Sequence, residues 1–513
     1  MIIKIAVVFG SLLALLALPF AFRPAGVADP ANAARLVVVT PHNEQIRYEF
    51  GRAFSVWHER EHGVPVVIDW RVPGGTSEIR RLLEAQYTRA IRTGHIVEGQ
   101  PAPVGLMPYD LLFGGGAYDH GLIKRGVSVV MDQGGEGVRS VSRPMSVRIA
   151  FDEATLYEWF GENRIGVGAL YDPDGYWFGS ALTAFGIVYS REALDRLGLP
   201  EPASWEALTD PRYTGWLAMT DPRQSGSVTT SYDSILNSYG WDKGWRILRG
   251  MAANARSFVD SSQKAPIEVS ANNAAAGPSI GFYGRYQSQS LLRPGQEAHE
   301  SPVGYIDPPG MVFIDSDPIS ILDGGPNPEI ARRFLEFTLT EEGQALWQYR
   351  RVDADAPVDA WGPRRFELRR MPIRRVMYED HHARRFVDTL DPFNVVSDHP
   401  SRGWRGMIEI LMGTFAIDIH ADMRRAWIAM HEAHARGEDP ALLARMDELF
   451  YAMPVHVFPD GREVLLTEDT YDDVRADWRT PGRAPELRIA YTNFFRANYR
   501  EVARLARTGA LRE

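Results

Sequence analysis

The chain has no cysteine in its 513 residues. This excludes disulfides, thiol catalysis, cysteine-ligated zinc or iron–sulfur clusters, and a lipid anchor on an N-terminal cysteine. A chain this long can dispense with disulfides, because it can form two or three domains around substantial cores. It has no basic excess: the formal charge is -10, which argues against a general nucleic-acid binder. Arginine-rich runs such as "RRFELRRMPIRR" sit among acidic neighbours and read as a solvated helical face. Beyond the N-terminus, no segment approaches the ~18 consecutive apolar residues of a spanning helix. No P-loop string occurs, and Gly114-Gly115-Gly116 is not the G-x-G-x-x-G of a dinucleotide site. His431 and His434 in "HEAH" stand three apart rather than the four a zinc protease needs. His381-His382 reads as a surface pair, and "QSGSV" lacks the G-x-S-x-G of a nucleophile elbow. The sequence carries no positive sign of catalysis, and no cofactor is expected.

What is present begins at the N-terminus. One Lys4 precedes an apolar run from Ile5 to Phe22, followed by "RPAGVADPANAA". This pattern is that of a secretory signal, with Ala31-Asn32-Ala33 offering the small residues for cleavage before Ala34. The long interval from Phe22 to Ala33 leaves an uncleaved inner-membrane anchor open. Residues 1–33 are therefore read as signal or anchor, and the body as exported.

From Leu36 onward the texture alternates. "RLVVV" is a buried parallel strand, followed by the polar turn His42-Asn43-Glu44 and a helix with Ile46, Phe50, Ala53, Phe54 and Trp57 on one face. A second strand leads to the loop holding Gly75, Thr76 and Ser77. A third leads to the glycine-rich turn of Gly115, Gly116 and Tyr118. Strand, polar loop and helix in alternation predict an α/β fold with parallel sheets. In such sheets the ligand crevice lies beyond the carboxyl ends of the strands, where all three loops fall.

A fourth such loop, "SGSVTT", stands between the apolar "GWLAMT", closed by Asp221-Pro222, and a helix with Val228, Tyr232, Ile235, Leu236 and Tyr239 on one face. Ser225 or Ser227 can cap that helix. No acidic residue follows until Asp233, so the free N–H groups and partial positive charge of the helix end are not neutralised locally, which suits an anionic or polar ligand. Capping alone and ligand binding both remain open at this point.

"ASWEALTDPRYTGWLAMTDPRQSGSVTT" resembles the strand–loop–helix of the type II periplasmic solute-binding proteins of ABC importers, the group that includes ferric-ion, phosphonate and sugar-phosphate binders. "DLLFGGGAYDH", "FGIVYSRE", "VGYIDPPGMVFIDSDPISIL" and "NPEIARRFLEFTLTEEGQALWQ" match further stretches in the same order, over about residues 36–350. The resemblance implies two α/β lobes joined by hinge strands. Residues 34–180 would form the first lobe, 181–276 the second, 277–350 the return to the first with its closing helices, and 351–513 an extra, mainly helical C-terminal region. It also implies that Ser225, Gly226, Ser227 and Thr229 point N–H and hydroxyl groups into the cleft, with Asp221 and Tyr283 beside them. The ferric binders carry adjacent tyrosines, whereas this chain has Gly284 after Tyr283. The resemblance therefore implies a monomeric periplasmic binder that delivers a small, polar, anionic solute to an inner-membrane ABC permease, not an enzyme. The alternatives are a ferric-ion binder using Tyr283, Glu44 and His42, or a hydrolase or transferase on the same scaffold with Asp221 and Asp260 as its carboxylates.

Overall fold

The alternation of apolar runs and amphipathic helices is realised in one large mixed sheet. The computed structural model describes residues 32–509 apart from 133–137, 294, 295, 297, 309, 312, 354, 389, 390 and 396–398. Most of the expected signal or anchor, residues 1–31, lies outside the described residues. In chain order the strands are β1 (Ala34–Val39), β2 (Val66–Arg71), β3 (Leu111–Phe113), β4 (Val127–Asp132), β5 (Val138–Arg143), β6 (Phe178–Ser190), β7 (Leu217–Thr220), β8 (Ala255–Val259), β9 (Ala276–Ile280), β10 (Val303–Ile306), β11 (Ile314–Ile321), β12 (Met371–Pro372), β13 (Val455–Val457) and β14 (Glu463–Leu465). The sheet order is β2-β1-β3-β11-β6-β9-β7-β8, with β10 and β12 also pairing with β6.

Two parallel units stand at the ends of this sheet. β1 lies between β2 and β3, and β7 pairs with β8, all in parallel register. Between them runs β6, whose 13 residues are all buried. Its apolar sequence needs no alternation because both of its faces are covered. β6 pairs antiparallel with β11 from Phe178 to Ala184 and with β9 from Phe185 to Tyr189. One continuous strand, "FGSALTAFGIVYS", thus leaves the first lobe and enters the second.

Beyond residue 350 the chain divides between the lobes instead of forming one appended module. β12 pairs with Ala181 and Leu182 of β6, and Leu368, Met371 and Ile373 join the first-lobe core. From Trp404 onward the chain packs on the second lobe. Trp404, Phe415, Trp427, Met430 and Phe495 share one core with Leu217, Trp241, Trp245 and Met251. The long helices His420–Arg436, Pro440–Tyr451 and Arg483–Thr508 belong to this second half.

The expectation of a solvated helical face at "RRFELRRMPIRR" is corrected. Arg370 and Arg374 are buried, because the short β12 that they flank joins the sheet. The His381-His382 pair is also corrected in part. His381 is exposed, but His382 is buried against the Tyr349 hydroxyl. Among the described residues no helix is long and apolar enough to cross a membrane.

Candidate functional site

The loops after β1, β2, β3 and β7 meet where the lobes face each other. After β1, the Thr40 hydroxyl donates to the Phe113 carbonyl at 2.6 Å and accepts the His42 N–H at 3.0 Å. The turn so fixed puts the buried His42 ring with Nε2 at 2.8 Å from Asp317 Oδ2 on β11. The Gly115 N–H donates to the other oxygen of the same carboxylate at 2.8 Å. Arg370 completes the cluster: its Nη1 stands 2.6 Å from Asp317 Oδ2, and its Nε donates to the Thr183 hydroxyl at 3.0 Å. The guanidinium lies 4.5 Å from the centre of the Phe282 ring.

Electrostatics follow from this burial. Burial lowers the His42 imidazole, outweighing the pull of Asp317, so the ring is neutral near pH 7. Burial would raise Asp317, but Arg370, His42 and the Gly115 N–H outweigh it and hold the carboxyl below its ordinary range. Two positions away on the same strand, Asp315 behaves oppositely. Burial pushes it up to about 7, against the pull of Arg405 and the Ala117 N–H. Tyr283 is likewise raised by burial, against the opposing charge of Arg370, so its phenol stays protonated.

Three of the four predicted loops touch across the lobe boundary. Gly75 caps the helix Thr76–Arg92 and approaches so closely that a Cβ there would stand 2.2 Å from the Gln224 carbonyl oxygen. Thr76 and Ser77 are buried beside it. Arg81 Nη1 donates to the Arg223 carbonyl at 2.7 Å, and Gln263 Nε2 to the Pro41 carbonyl at 2.7 Å. A Cβ on Gly116 would meet Asp315 Oδ2 at 2.8 Å and Thr230 Oγ1 at 3.7 Å. Glycine at 75 is thus required by close approach of backbone.

The helix Gly226–Tyr239 exists as its periodicity predicts, and Ser225 is its cap, accepting the Val228 N–H at 3.4 Å. The hydroxyl of Thr229 turns back onto the carbonyls of Ser225 and Pro222, at 3.0 and 3.1 Å. Ser227 is half-buried in the first turn. The acid missing from this helix end comes from the other lobe. Asp119 is buried with Oδ2 against Gly226, where a Cβ would stand only 1.9 Å away. Asn43 is also a cap, with Oδ1 accepting the Ile46 N–H at 3.1 Å, and Glu44 beside it is exposed.

Asp221 and Asp260 do not form a pair of working carboxylates. Asp221 is clasped by Arg223, with Nη2 at 2.7 Å, while Asp260 lies exposed beside Lys264 at 2.7 Å. Arg223 also reaches Asp418 at 2.8 Å, beside a π-helical turn at Met412–Ala416. The position beside Tyr283 is filled as well. A Cβ on Gly284 would lie 2.3 Å from the Tyr305 ring, so no second tyrosine fits there without moving Tyr305. Among the described residues no three His, Asp or Glu side chains converge as a metal-ion set.

Tyr118 and Thr229 line a cavity of about 220 Å³ together with Arg80, Arg405, Glu409, Arg475 and Arg479. Arg405 Nη1 donates to the Thr230 hydroxyl at 2.6 Å and Nη2 to the Gly226 carbonyl at 2.8 Å, and its guanidinium lies 4.3 Å from the centre of the Tyr118 ring. Burial raises the Glu409 carboxyl despite the neighbouring Arg80, Arg81 and Arg405. Sequence reasoning missed all these arginines, as well as Asp315, Asp317 and Arg370. One signal was available: Asp315 and Asp317 stand two apart, on one face of a strand, and buried carboxylates require partners.

The bacterial extracellular solute-binding protein family matches residues 166–364. The phosphoglycerate transport regulatory protein PgtC of Salmonella typhimurium is 24% identical over 300 residues, 56% of this chain and 65% of that protein. The chain thus spans about 65% of the length of this curated relative. Among solved structures, the periplasmic binding protein P5PA is 17% identical with a TM-score of 0.49, covering 77% of this chain and 98% of that one. AfuA from Actinobacillus pleuropneumoniae, with exogenous fructose-6-phosphate bound, is 17% identical with a TM-score of 0.44, covering 61% of this chain and 81% of that one. The similarity to the bacterial extracellular solute-binding protein family is thus confined to residues 166–364.

Proposed function

We propose that the protein is the exported solute-binding component of an ABC import system, closing its two lobes on a small, polar, anionic solute and presenting it to a membrane permease. The observation that carries this reading is the meeting of strand-end loops from both lobes, Gly75 against Gln224 and Gly116 against Thr230, across a boundary spanned by β6. Loops at the carboxyl ends of parallel strands form the crevice of such sheets, and continuous strands between lobes serve as hinges for closure. An organic phosphate is the preferred solute class. Buried Arg405 at the boundary supports an anion, and similarity to a phosphoglycerate transport regulatory protein supports a phosphorylated one. A ferric ion fits less well, because Tyr283 is a buried, protonated phenol without a neighbouring tyrosine. Native mass spectrometry of protein exported by its own cell tests the reading. A retained organic anion, released on unfolding, is the expected result. A chain that never carries or takes up a small solute would refute it.

A further inference from the structure

We propose that the arginine-lined cavity where both lobes meet the C-terminal region binds the charged end of the solute, a phosphate monoester or a similar small dianion. This rests on the solute-binding reading and adds to it a site built largely from residues beyond the matched family segment. The cavity has three walls. Arg80 and Tyr118 come from the first lobe, Thr229 from the second, and Arg405, Glu409, Arg475 and Arg479 from the C-terminal region. Its volume of about 220 Å³ is below the roughly 300–1,000 Å³ of drug-sized sites, so it suits a molecule of a few carbons.

The charges there are unbalanced. Arg80 is matched by Glu84 at 2.7 Å and Asp119 at 3.2 Å. Arg405, Arg475 and Arg479 form no ion pair among the described residues. Arg405 is only 8% exposed, and its Nε has no hydrogen-bond partner. A buried donor left unmade is costly. Arg405 also feels the buried Asp233 and Asp315 carboxyls, whereas Arg475 and Arg479, which line the cavity with Glu409, add positive charge that no ion pair among the described residues takes up. Guanidinium forks match phosphate oxygens in geometry as well as charge. The Nη contacts to Gly226 and Thr230 fix the Arg405 plane before any ligand arrives, so little ordering remains to be done on binding. An anion held here would join the first lobe, the second lobe and the C-terminal region.

The test is titration calorimetry of the full chain at low ionic strength with glycerol 3-phosphate, inorganic phosphate and, as the neutral control, glycerol. The expected result is binding of glycerol 3-phosphate, weakened by added salt, and no binding of glycerol. Arg475 makes no side-chain hydrogen bond among the described residues, so Arg475→Gln should leave the fold intact while weakening the phosphate ester about tenfold or more. Arg475→Lys should recover part of the loss. Arg405→Gln should abolish binding, although its contacts to Gly226 and Thr230 also serve the fold. Arg365→Gln, in the separate cavity beside Tyr286 and Phe366, should change nothing. Equal affinity of wild type and Arg475→Gln for the ester, or no anion binding by wild type, would overturn the site. A native solute retained equally by wild type and by the Arg475→Gln/Arg479→Gln double variant would overturn the site while leaving the solute-binding reading in place.

Discussion

Gly75→Ser separates closure of the lobes from stability of the first lobe. Gly75 has ordinary extended backbone, φ -73 and ψ 170, so a side chain there introduces no backbone strain. What prevents one is the second lobe, since a Cβ would lie 2.2 Å from the Gln224 carbonyl oxygen. Ordinary contact begins near 3.4 Å, so the two loops must part by more than an ångström, and the obstacle is backbone that cannot rotate aside. Overpacking of this kind costs about 1–3 kcal/mol, or roughly a five- to 150-fold loss of affinity if closure is needed for binding. Serine is a better cap than glycine for the helix Thr76–Arg92, by a few tenths of a kcal/mol. The melting temperature of the solute-free protein should therefore hold or rise while solute affinity falls. Small-angle scattering of solute-loaded protein should show a larger radius of gyration than wild type. Unchanged affinity with an unchanged radius would mean that the contact of Gly75 with Gln224 is not part of the closed state, and the clamshell reasoning would fail.

Other perturbations test separate parts of the structure. Burial pushes Asp315 up to about 7, well above its ordinary 3.8. An acid raised on folding costs stability as pH rises from its unfolded to its folded pKa and no further beyond. Asp315→Asn should therefore raise the melting temperature most above pH 7 and little near pH 4, as a series of thermal melts would reveal; an equal shift at all pH values would contradict this. Ferric ion added to the protein should give no strong visible phenolate band, because burial keeps Tyr283 protonated; a coloured 1:1 complex lost in Tyr283→Phe would reverse the preference for an organic anion. Trp427 is 2% exposed and donates its Nε1–H to Asn254 at 2.8 Å. Trp427→Ala should cost about 3–5 kcal/mol in denaturant unfolding and loosen the second lobe together with the C-terminal helices, since they share one core. A separate early transition of the C-terminal region, with the second lobe unaffected, would show that the two are independent.

The sequence by itself determined what depends on local period and turn chemistry. The helices Glu44–His62, Thr76–Arg92 and Gly226–Tyr239 form where their apolar faces repeat. The four loops fall at strand ends because alternating strands and helices place them there. Only the tertiary structure decided what those loops face. The uncapped charge of the helix after Ser225 looks open to a ligand in sequence, yet Asp119 reaches it from the other lobe, 107 positions earlier than Gly226 in the chain. The arginines of "RRFELRRMPIRR" read in sequence as a solvated face among acidic neighbours, and Arg405 draws no reading at all. Folding puts Arg370 on Asp317 and Arg405 on the start of that same helix. Periodicity reports which face of an element is buried, but the partner of a buried charge is set by contacts between residues far apart in the chain, and no local pattern encodes them.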